Sequence, residues 1–403
     1  DPALRGKPVV TGKERGIIAC ANYEAKARGI QRGLPLFQAQ QLCPELVILP
    51  SDYETYGLYS RRLFEIMRRY TPWVEEYSID EAFADLTGMR GFFRCSYEDI
   101  ARRLQSDVER ELGITVSVGL SLSKALAKLC SKFRKPRGFT AVPGRYLHLL
   151  LQRTPLEKVW GFGPNTVSLL QKYGLRTAYD FIRRPEGWAA QLLHKPGREL
   201  WHELRGHSLW PVNPAPRPTQ ATIVKSQTFT PPSRDRDEVY ARLLRNAEAA
   251  FGKARRFRLR ARRLGVVLRR QDFSHDGLEA RLTRATSATQ EATPLLRELF
   301  ERVFQPGCEY RATLVALGAL EEDRAEQIEL FEDRPRIESW RRAAQAVDAL
   351  NARYGRHTVC LAAALYLQNK PTGAREEPPP RRRLALPGEK RRRLALPRWT
   401  VTV

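Results

Sequence analysis

The chain has 403 residues, 42% of them hydrophobic, and carries a formal net charge of +24 with a pI near 10.2. This length provides for two to four domains with real cores, and the excess of positive charge is typical of proteins that neutralise phosphates, not of enzymes of small metabolites. The sequence shows no apolar run of about 18 residues, no basic amphipathic anchor helix and no signal peptide, so we expect a cytoplasmic protein that does not bind membranes.

Helices and strands alternate through the first third of the chain. The predicted elements are strands at 9–10 and 17–20, helices at 23–28, 36–42 and 52–70, strands at 74–79 and 82–86, a helix at 97–112, a strand at 114–120 and a helix at 124–133 capped by Ser123. This order predicts an α/β (α+β) region.

From residue 151 onward, the amino-acid composition changes several times along the chain. Short helices with glycine turns occupy 151–210, and a proline-rich linker follows at 211–220. A second α/β block runs over 221–320. The remainder, 321–403, is first acidic and then rich in proline and arginine, with the near-repeat RRRLALP at 381–387 and 391–397. We expect this basic tail to be disordered.

The six cysteines are scattered without a Cys-x-x-Cys pair, and the six histidines show no metal-ligand spacing. Cys20, Cys43 and Cys130 have apolar neighbours in the sequence. Zinc sites and disulfide bonds are therefore disfavoured, and we predict buried free thiols in a reducing cytoplasm.

Two adjacent carboxylates, Asp80 and Glu81, interrupt a predicted strand pair. Neighbouring residues of an extended strand point to opposite sides, so a turn is needed to bring both acids to one site. A divalent cation relieves their repulsion, and hard oxygen ligands suit Mg²⁺, which can align a 3′-hydroxyl and polarise a triphosphate. Taken alone, these residues favour an exposed acidic β-turn; the rest of the sequence favours the metal site.

The segment 253–270 contains nine basic residues and no acid. Its alternation predicts a strand with Arg256, Arg258, Arg260 and Arg262 on one face and apolar side chains on the other. Such a face can follow a DNA phosphate backbone without reading bases. A solvated basic face is the alternative, and the absence of interspersed acids favours DNA binding.

A glycine turn, Gly161-Phe162-Gly163, precedes a predicted helix that ends near Gly174. Backbone N–H groups at such a helix start can bind a phosphate, as in a helix-hairpin-helix. A plain helix-turn-helix corner is the alternative.

A short peptide, Gln327-Ile328-Glu329-Leu330-Phe331, lies in the acidic stretch. It can place Leu330 and Phe331 in a groove of a partner while Gln327 anchors one end. A chance amphipathic fragment is the alternative.

These motifs, in this order, resemble the Y-family translesion DNA polymerases, and most closely the bacterial DNA polymerase IV (DinB) type. The resemblance extends from Asp1 to about Leu320 and includes Ala21 to Lys26, Ser78 to Phe83 and Ser117 to Gly138. It implies a right-hand polymerase with fingers at 1–50, a palm at 51–150, a helix-hairpin-helix thumb at 151–210 and a little-finger domain at 221–320.

The resemblance also implies roles for individual residues. Asp80 would bind Mg²⁺, and Glu81 would act beside it near the primer end. Tyr23, Lys26 and Lys135 would hold the incoming deoxynucleoside triphosphate. The implied partners are primer-template DNA and a sliding clamp bound through Gln327, Leu330 and Phe331, with the protein itself a monomer. Gly161 and Gly163 would belong to the DNA-gripping thumb.

The sequence departs from the family pattern at several positions. The first metal-binding aspartate and the ribose-excluding aromatic, which we expect on a strand and helix before Asp1, do not occur in it, so we predict very weak primer extension without that strand. Lys26 replaces the usual arginine, and Lys132 stands where the family commonly has aspartate. Residues 351–361 are similar to C-terminal extensions of relatives, and we assign no chemistry to them.

Two alternative functions remain open at this point. A non-catalytic DNA-binding and clamp-docking adaptor of the same fold would not need the paired acids Asp80 and Glu81. A nucleotidyl-cyclase-like palm enzyme would share the acids but would not need the glycine turn, the basic segment or the clamp-like peptide.

Overall fold

The computed structural model describes residues 2–215, 221–324, 333–355 and 357–367. The chain divides into two compact units, one of residues 52–216 and one that joins residues 1–51 with 217–403. Helices and strands are mixed in both units, which confirms the predicted α/β (α+β) class.

The first 51 residues form a small three-stranded sheet with two short helices. Its elements are β1 (Val9–Thr11), β2 (Cys20–Ala21), α1 (Tyr23–Ala27), α2 (Leu36–Leu42) and β3 (Val47–Leu49), with 3₁₀ helices at Pro2–Leu4 and Lys13–Arg15. The central strand β1 is antiparallel to β2 and parallel to β3. Val10, Ile18, Ala25, Ile30 and Ala39 form the core of this segment. The sequence predicted both helices but missed β3.

Residues 52–216 begin with mixed helices and short strands and continue with helices. The first part comprises α3 (Tyr53–Arg68), β4 (Val74–Glu76), β5 (Ala82–Ala84), α4 (Met89–Phe93), α5 (Tyr97–Leu112), β6 (Val118–Leu120), α6 (Lys124–Phe133) and β7 (Phe139–Ala141). The second part comprises α7 (Leu147–Gln152), α8 (Pro164–Lys172), α9 (Ala178–Ile182) and α10 (Glu186–Leu204), with 3₁₀ helices at Gly144–Tyr146 and Leu156–Lys158.

Side-chain caps set the ends of the two helices that position the candidate site. Ser96 and Asp99 form a capping box at the start of α5, and Gly113 ends that helix at φ 65°. Ser123 caps α6 by accepting a hydrogen bond from the backbone N–H of Leu126. Both helices run over the residues that the sequence predicted, because these caps are local signals.

The strands of this unit form two separate two-stranded sheets. β4 pairs with β5 in an antiparallel hairpin, and β6 pairs with β7 in parallel. Helix α6 lies directly on β6 at Gly119, where an added Cβ would be 2.1 Å from the carbonyl oxygen of Ala127 and 2.2 Å from the backbone nitrogen of Ser131. Only glycine permits this close approach of the two backbones.

The last part of the chain contains a four-stranded antiparallel sheet of order β10-β9-β11-β8. Its elements are β8 (Ile223–Ser233), α11 (Arg236–Arg256), β9 (Leu259–Arg270), β10 (His275–Thr286), α12 (Thr289–Val303) and β11 (Tyr310–Glu322). Helices α11 and α12 cover one face, and Leu264, Val266, Phe251, Phe300 and Val315 are buried in the core between them.

A further helix, α13 (Arg334–Tyr354), and a 3₁₀ helix (Ala362–Leu367) pack onto this domain. Arg255 of α11 forms a two-pronged hydrogen-bonded ion pair with Asp348 of α13. Ala364 is completely buried in the domain core. The sequence did not predict α13, and the structure shows that the domain core extends beyond residue 320, the predicted end of the domain. Residues 368–403, including the basic tail, lie outside the described residues.

The cysteines correct one expectation. All six are free, and Cys43 and Cys130 are buried as predicted, but Cys20 is exposed at the end of the small sheet. Burial raises the pKa of the Cys130 thiol to about 12. Across the described ranges, we find no helix with both the length and the apolar character needed to cross a membrane.

Candidate active site

The candidate site is built on the tip of the β4–β5 hairpin. The backbone N–H groups of Tyr77 and Ser78 both donate to the carbonyl oxygen of Glu81, at 3.0 and 2.9 Å, and close a tight turn. The Ser78 hydroxyl donates to Asp80 Oδ1 at 2.7 Å. The turn therefore places Asp80 and Glu81 at the tip of the hairpin, and their joint binding of a metal ion stays a prediction.

A buried lysine of α6 holds one of the two acids. Lys128 Nζ lies 2.8 Å from Glu81 Oε2, and only 8% of the lysine side chain is exposed. Its ammonium is 4.4 Å from the ring centroid of Tyr77 and 5.2 Å from that of Trp160. These rings stabilise the cation by cation–π interactions, so Lys128 and Glu81 form a fixed pair.

A second lysine of α6 ties down the hairpin one turn earlier. Lys124 forms a hydrogen-bonded ion pair with Glu75 of β4, and its ammonium lies 5.3 Å from the ring centroid of Phe83. Glu75 also accepts a hydrogen bond from the backbone N–H of Asn213 at 2.8 Å. Both arms of the hairpin are thus held by successive turns of one helix.

More lysines surround this pair. Partial burial lowers the pKa of Lys132, and the charge of Lys128 lowers it further, whereas Glu81 acts in the opposite direction. Lys135, on the loop after α6, and Lys158 also lower this pKa and are both exposed. Glu81 therefore lies beside a group of cations that can attract phosphates.

The glycine turn is packed against the same hairpin. Gly161 has φ 103°, and Gly163 is the N-cap of α8, with Pro164 at its first position. The preceding Trp160 contacts the rings of Tyr77 and Phe83, with centroids 5.4 and 5.7 Å apart. A glycine turn that opens a helix is confirmed; phosphate binding by Gly161 and Gly163 stays a prediction.

Tyr23 and Lys26 lie together on α1. The Asn22 side chain caps this helix by accepting from the backbone N–H of Ala25, and Lys26 Nζ is 4.8 Å from the ring centroid of Tyr23. Both residues are exposed. They belong to the unit that does not contain Asp80, and their contact with a triphosphate stays a prediction.

The predicted four-arginine face is wrong in its geometry. Arg256 is the last residue of α11, and Arg258 lies in the following turn with φ 53°. Strand β9 begins only at Leu259. Arg260 is buried and forms ion pairs with Glu321 and Asp323 at 3.3 and 3.6 Å. Arg262 is exposed on the strand.

The alternation failed because a helix–strand junction divides the segment. The 3.6-residue period of α11 ends at Arg256, and the two-residue period of β9 starts three residues later. Charge alone does not mark such a junction. The DNA-binding role of these arginines stays a prediction, and Arg262 is the member of the set that is exposed on β9.

The sheet face opposite α11 and α12 carries cations that the sequence did not single out. Arg263 is opposite Arg281 on β10 and Gly318 on β11, and Gly265 is opposite Ala316. Residues in register share a face, and the helices cover the opposite face through the buried side chains of Leu264 and Val266. Small residues lie at the middle of this face, and Arg263 beside them forms an ion pair with Glu279 at 3.1 Å.

Two further sequence hypotheses are not settled by geometry. Gln327, Leu330 and Phe331, the predicted clamp peptide, lie outside the described residues. Among residues 2–215, 221–324, 333–355 and 357–367, no group of three His, Cys, Asp or Glu side chains is arranged to hold a metal ion.

Comparisons of the sequence with known protein families and with known proteins agree with each other. The sequence profile of the impB/mucB/samB family matches residues 1–132, and that of the family's C-terminal domain matches residues 220–330. The chain is 31% identical over 367 residues to DNA polymerase IV of Caulobacter vibrioides, covering 91% of this chain and 90% of that protein. It is 33% identical over 375 residues to DNA polymerase IV of Moorella thermoacetica, covering 91% and 92%.

A solved Y-family DNA polymerase chimera superimposes on the structure with a TM-score of 0.67. The superposition covers 79% of this chain and 93% of the chimera, at 22% sequence identity. The two chains therefore share a fold, the right-hand polymerase architecture that the sequence predicted.

Proposed function

Because the chain belongs to the DinB type of Y-family DNA polymerases, we propose that Asp80 and Glu81 are its acidic centre for nucleotidyl transfer assisted by two Mg²⁺ ions. The chain is a DNA-directed DNA polymerase of the translesion kind; the metals and the residue roles are the proposal. The observation that carries it is the tight hairpin tip that presents both acids, with Glu81 fixed by buried Lys128.

The acid pair fits Mg²⁺ in its chemistry. Asp80 and Glu81 present hard carboxylate oxygens, and Mg²⁺ is usually bound through one or two carboxylates plus substrate phosphates. Bound Mg²⁺ supplies Lewis-acid stabilisation of the charge that develops on a triphosphate. Asp80 is the more exposed of the two acids, so we assign it to direct ion binding.

The remaining residues orient the acids and the substrate. The hydrogen bond from Lys128 fixes one oxygen of Glu81 and leaves its other oxygen for the primer end. Lys135 is exposed and acts electrostatically on Lys132, and it is assigned to the triphosphate together with Tyr23 and Lys26 of α1. A fixed site of this kind lowers the reorganisation needed when negative charge develops during transfer.

A further strand with a first metal-binding aspartate is also part of the proposal. The β4–β5 hairpin and the β6–β7 pair are separate sheets, and both are attached to α6. We propose that one additional strand joins the two pairs. We expect a protein in which Asp80 and Glu81 act without such a strand to extend primers very weakly, and the addition of an Asp-bearing strand to restore extension. Strong extension without it would contradict this part.

The proposed partners follow from the family. Primer-template DNA would be held by the Gly161-Phe162-Gly163 turn and by Arg262 with its neighbours, and the nucleotide by the lysines near Glu81. We further propose that the protein acts as a cytoplasmic monomer and that residues 327–331 bind a sliding clamp. Deleting 327–331 should abolish clamp-dependent stimulation and leave clamp-independent DNA binding intact.

Substitution of the acids tests the proposal in a protein to which the proposed Asp-bearing strand has been joined. Asp80→Ala or Glu81→Ala should lower primer extension by a factor of about 10³, since several kcal/mol of charge stabilisation are lost. DNA affinity should stay unchanged. Glu76→Gln is the matched control, because Glu76 lies on the same hairpin but its carboxylate is paired with Arg68 of α3.

The outcomes separate the alternative functions. Unchanged extension in both acid variants would refute the assignment of the site. A protein that binds DNA with steep salt dependence but never extends a primer would be the non-catalytic adaptor. Loss of DNA affinity in the acid variants would mean that the hairpin is a structural element of the DNA surface.

A further inference from the structure

Helix α6 carries a row of three lysines on one side. Lys124, Lys128 and Lys132 are spaced by four residues, so they lie on successive turns of the same helical face. This face is directed to the acid hairpin, because the first two lysines contact Glu75 and Glu81. Lys132 continues the row by one turn toward the loop that carries Lys135.

The third lysine, Lys132, differs from Lys124 and Lys128 in how its positive charge is compensated. Lys124 and Lys128 each form a hydrogen-bonded ion pair with an acid of the hairpin. For Lys132, the described part of the chain provides no hydrogen bond and no ion pair, and the side chain is exposed. A lysine with a flexible stem and three donors in this position is free to take an external acceptor.

The surroundings of Lys132 leave positive charge uncompensated. Lys128, Lys135 and Lys158 all act on Lys132 electrostatically, and Glu81, which acts in the opposite direction, is already paired with Lys128. Partial burial and these like charges lower the pKa of Lys132. An anion beside Lys132 would relieve the repulsion among the four lysines.

We propose that Lys132 binds a phosphate group of a polymerase substrate next to Glu81. The phosphate belongs to the incoming nucleotide or to the DNA backbone, two sources with the same chemistry. The inference rests on the proposed function, and it is specific to this chain: where the resemblance leads us to expect an aspartate, a lysine changes the local charge by two units. The family pattern therefore does not supply this contact.

Two binding measurements distinguish the sources of the phosphate. For a DNA phosphate, Lys132→Ala should reduce the slope of log affinity against log salt by about 1. For a nucleotide phosphate, Lys132→Ala should bind inorganic tripolyphosphate about tenfold more weakly when it is titrated without metal. The KM for the nucleotide should rise in proportion, and the salt slope of DNA binding should stay unchanged.

Three further variants control the measurement. Lys132→Asp, which introduces the residue expected from the family, should lower the affinity for the affected ligand more than Lys132→Ala does. Lys132→Arg should stay within about twofold of the wild type, because it keeps the charge and the donors. Lys195→Ala removes an exposed lysine of α10 that pairs with Glu199 and should change neither measurement.

The results separate this inference from the proposed function. If Asp80→Ala abolishes extension but Lys132→Ala and Lys132→Asp change neither the salt slope nor tripolyphosphate binding, the phosphate contact is refuted and the acidic centre stands. If Lys132→Arg is as impaired as Lys132→Ala, the charge is not what matters and the inference is equally overturned. If Lys132→Ala weakens a ligand while Asp80→Ala leaves extension intact, the residue binds phosphate but not at a catalytic centre.

Discussion

Two basic regions of the molecule, helix α6 and strand β9, use their positive charge in different ways. On α6 the lysines keep a regular spacing, and their acids, Glu75 and Glu81, come from a hairpin 49 and 47 residues away in the chain. Around β9 the arginines alternate in sequence, but Arg260 is neutralised inside the domain by Glu321. Basic residues can therefore be counted in a sequence, whereas which of them are free to bind phosphate depends on acids that only the fold brings near.

The largest effect should come from breaking the support of α6. Gly119→Ala places a Cβ about 2 Å from the backbone of α6, so α6 must move away from β6, and we expect the free energy of unfolding to fall by about 3 kcal/mol. Urea unfolding measures this. Gly187→Ala in the first turn of α10 is the control: its new Cβ meets nothing within 4 Å, so the variant should keep the stability of the wild type. Equal stability of both variants would contradict the close approach.

The next effect tests the link between α6 and the acids. Lys128→Met keeps an apolar chain among the rings of Tyr77 and Trp160 but removes the hydrogen bond to Glu81. We expect stability to fall by about 2 kcal/mol and, in a protein joined to the Asp-bearing strand, primer extension to fall by a factor of about 10 to 100.

The matched variant for Lys128 is Lys124→Met. It removes the pair with Glu75, away from the hairpin tip, and should reduce extension less. Steady-state extension and urea unfolding of both proteins provide the test. Identical losses of extension would show that Lys128 has no special relation to Glu81.

The third prediction concerns β9. Arg262→Ala should lower the salt slope of DNA binding by about 1 and change stability by less than about 0.5 kcal/mol. Arg260→Ala should do the reverse: about 2 kcal/mol of stability is lost with its partly exposed ion pairs, and the salt slope is kept. A fall of the salt slope in Arg260→Ala would restore the predicted arginine face.

The smallest effect concerns pH and the packing of residues 357–367 on α11. Burial is the largest cause of the raised pKa of Glu248, while the hydrogen bond from the Leu361 N–H and the charges of Arg245 and Arg255 oppose it. The folded state therefore favours the protonated carboxyl. The stabilisation by the protonated Glu248 carboxyl is fully present below the pKa of this group in the unfolded chain, about 4.3. It is lost as the pH rises through the higher pKa of the folded state.

Glu248→Gln should remove this dependence. The variant keeps an oxygen that accepts a hydrogen bond from the Leu361 N–H. The wild type should therefore lose more stability than the variant as the pH rises from about 4, near the pKa of an ordinary glutamate, to about 7. Thermal unfolding across this range measures the difference. Parallel pH profiles of the two proteins would show that Glu248 does not titrate differently on folding.

The elements that the sequence predicted well have local causes. Helices α5 and α6 cover the predicted residues because Ser96, Ser123 and Gly113 mark their ends. The hairpin tip at Asp80 and Glu81 was predicted because the break in the strand pattern is visible in the sequence.

What the sequence did not predict has long-range causes. Strand β3 exists through parallel pairing with β1, a partner far along the chain. Helix α13 is held by the Arg255–Asp348 pair, 93 residues apart. The Lys128–Glu81 contact and the burial of Arg260 likewise depend on distant segments, and no local periodicity reports such contacts.

The contact of Trp160 with the hairpin has a consequence for domain grafting. Its ring lies 5.4 Å from Tyr77 and 5.4 Å from Trp210, so the glycine turn and the acid-bearing hairpin share one aromatic cluster. A hybrid that exchanged the helical segment from residue 151 onward with that of a relative would divide this cluster at its middle. Such a hybrid should require Tyr77, Phe83 and Trp160 to be transplanted as a set.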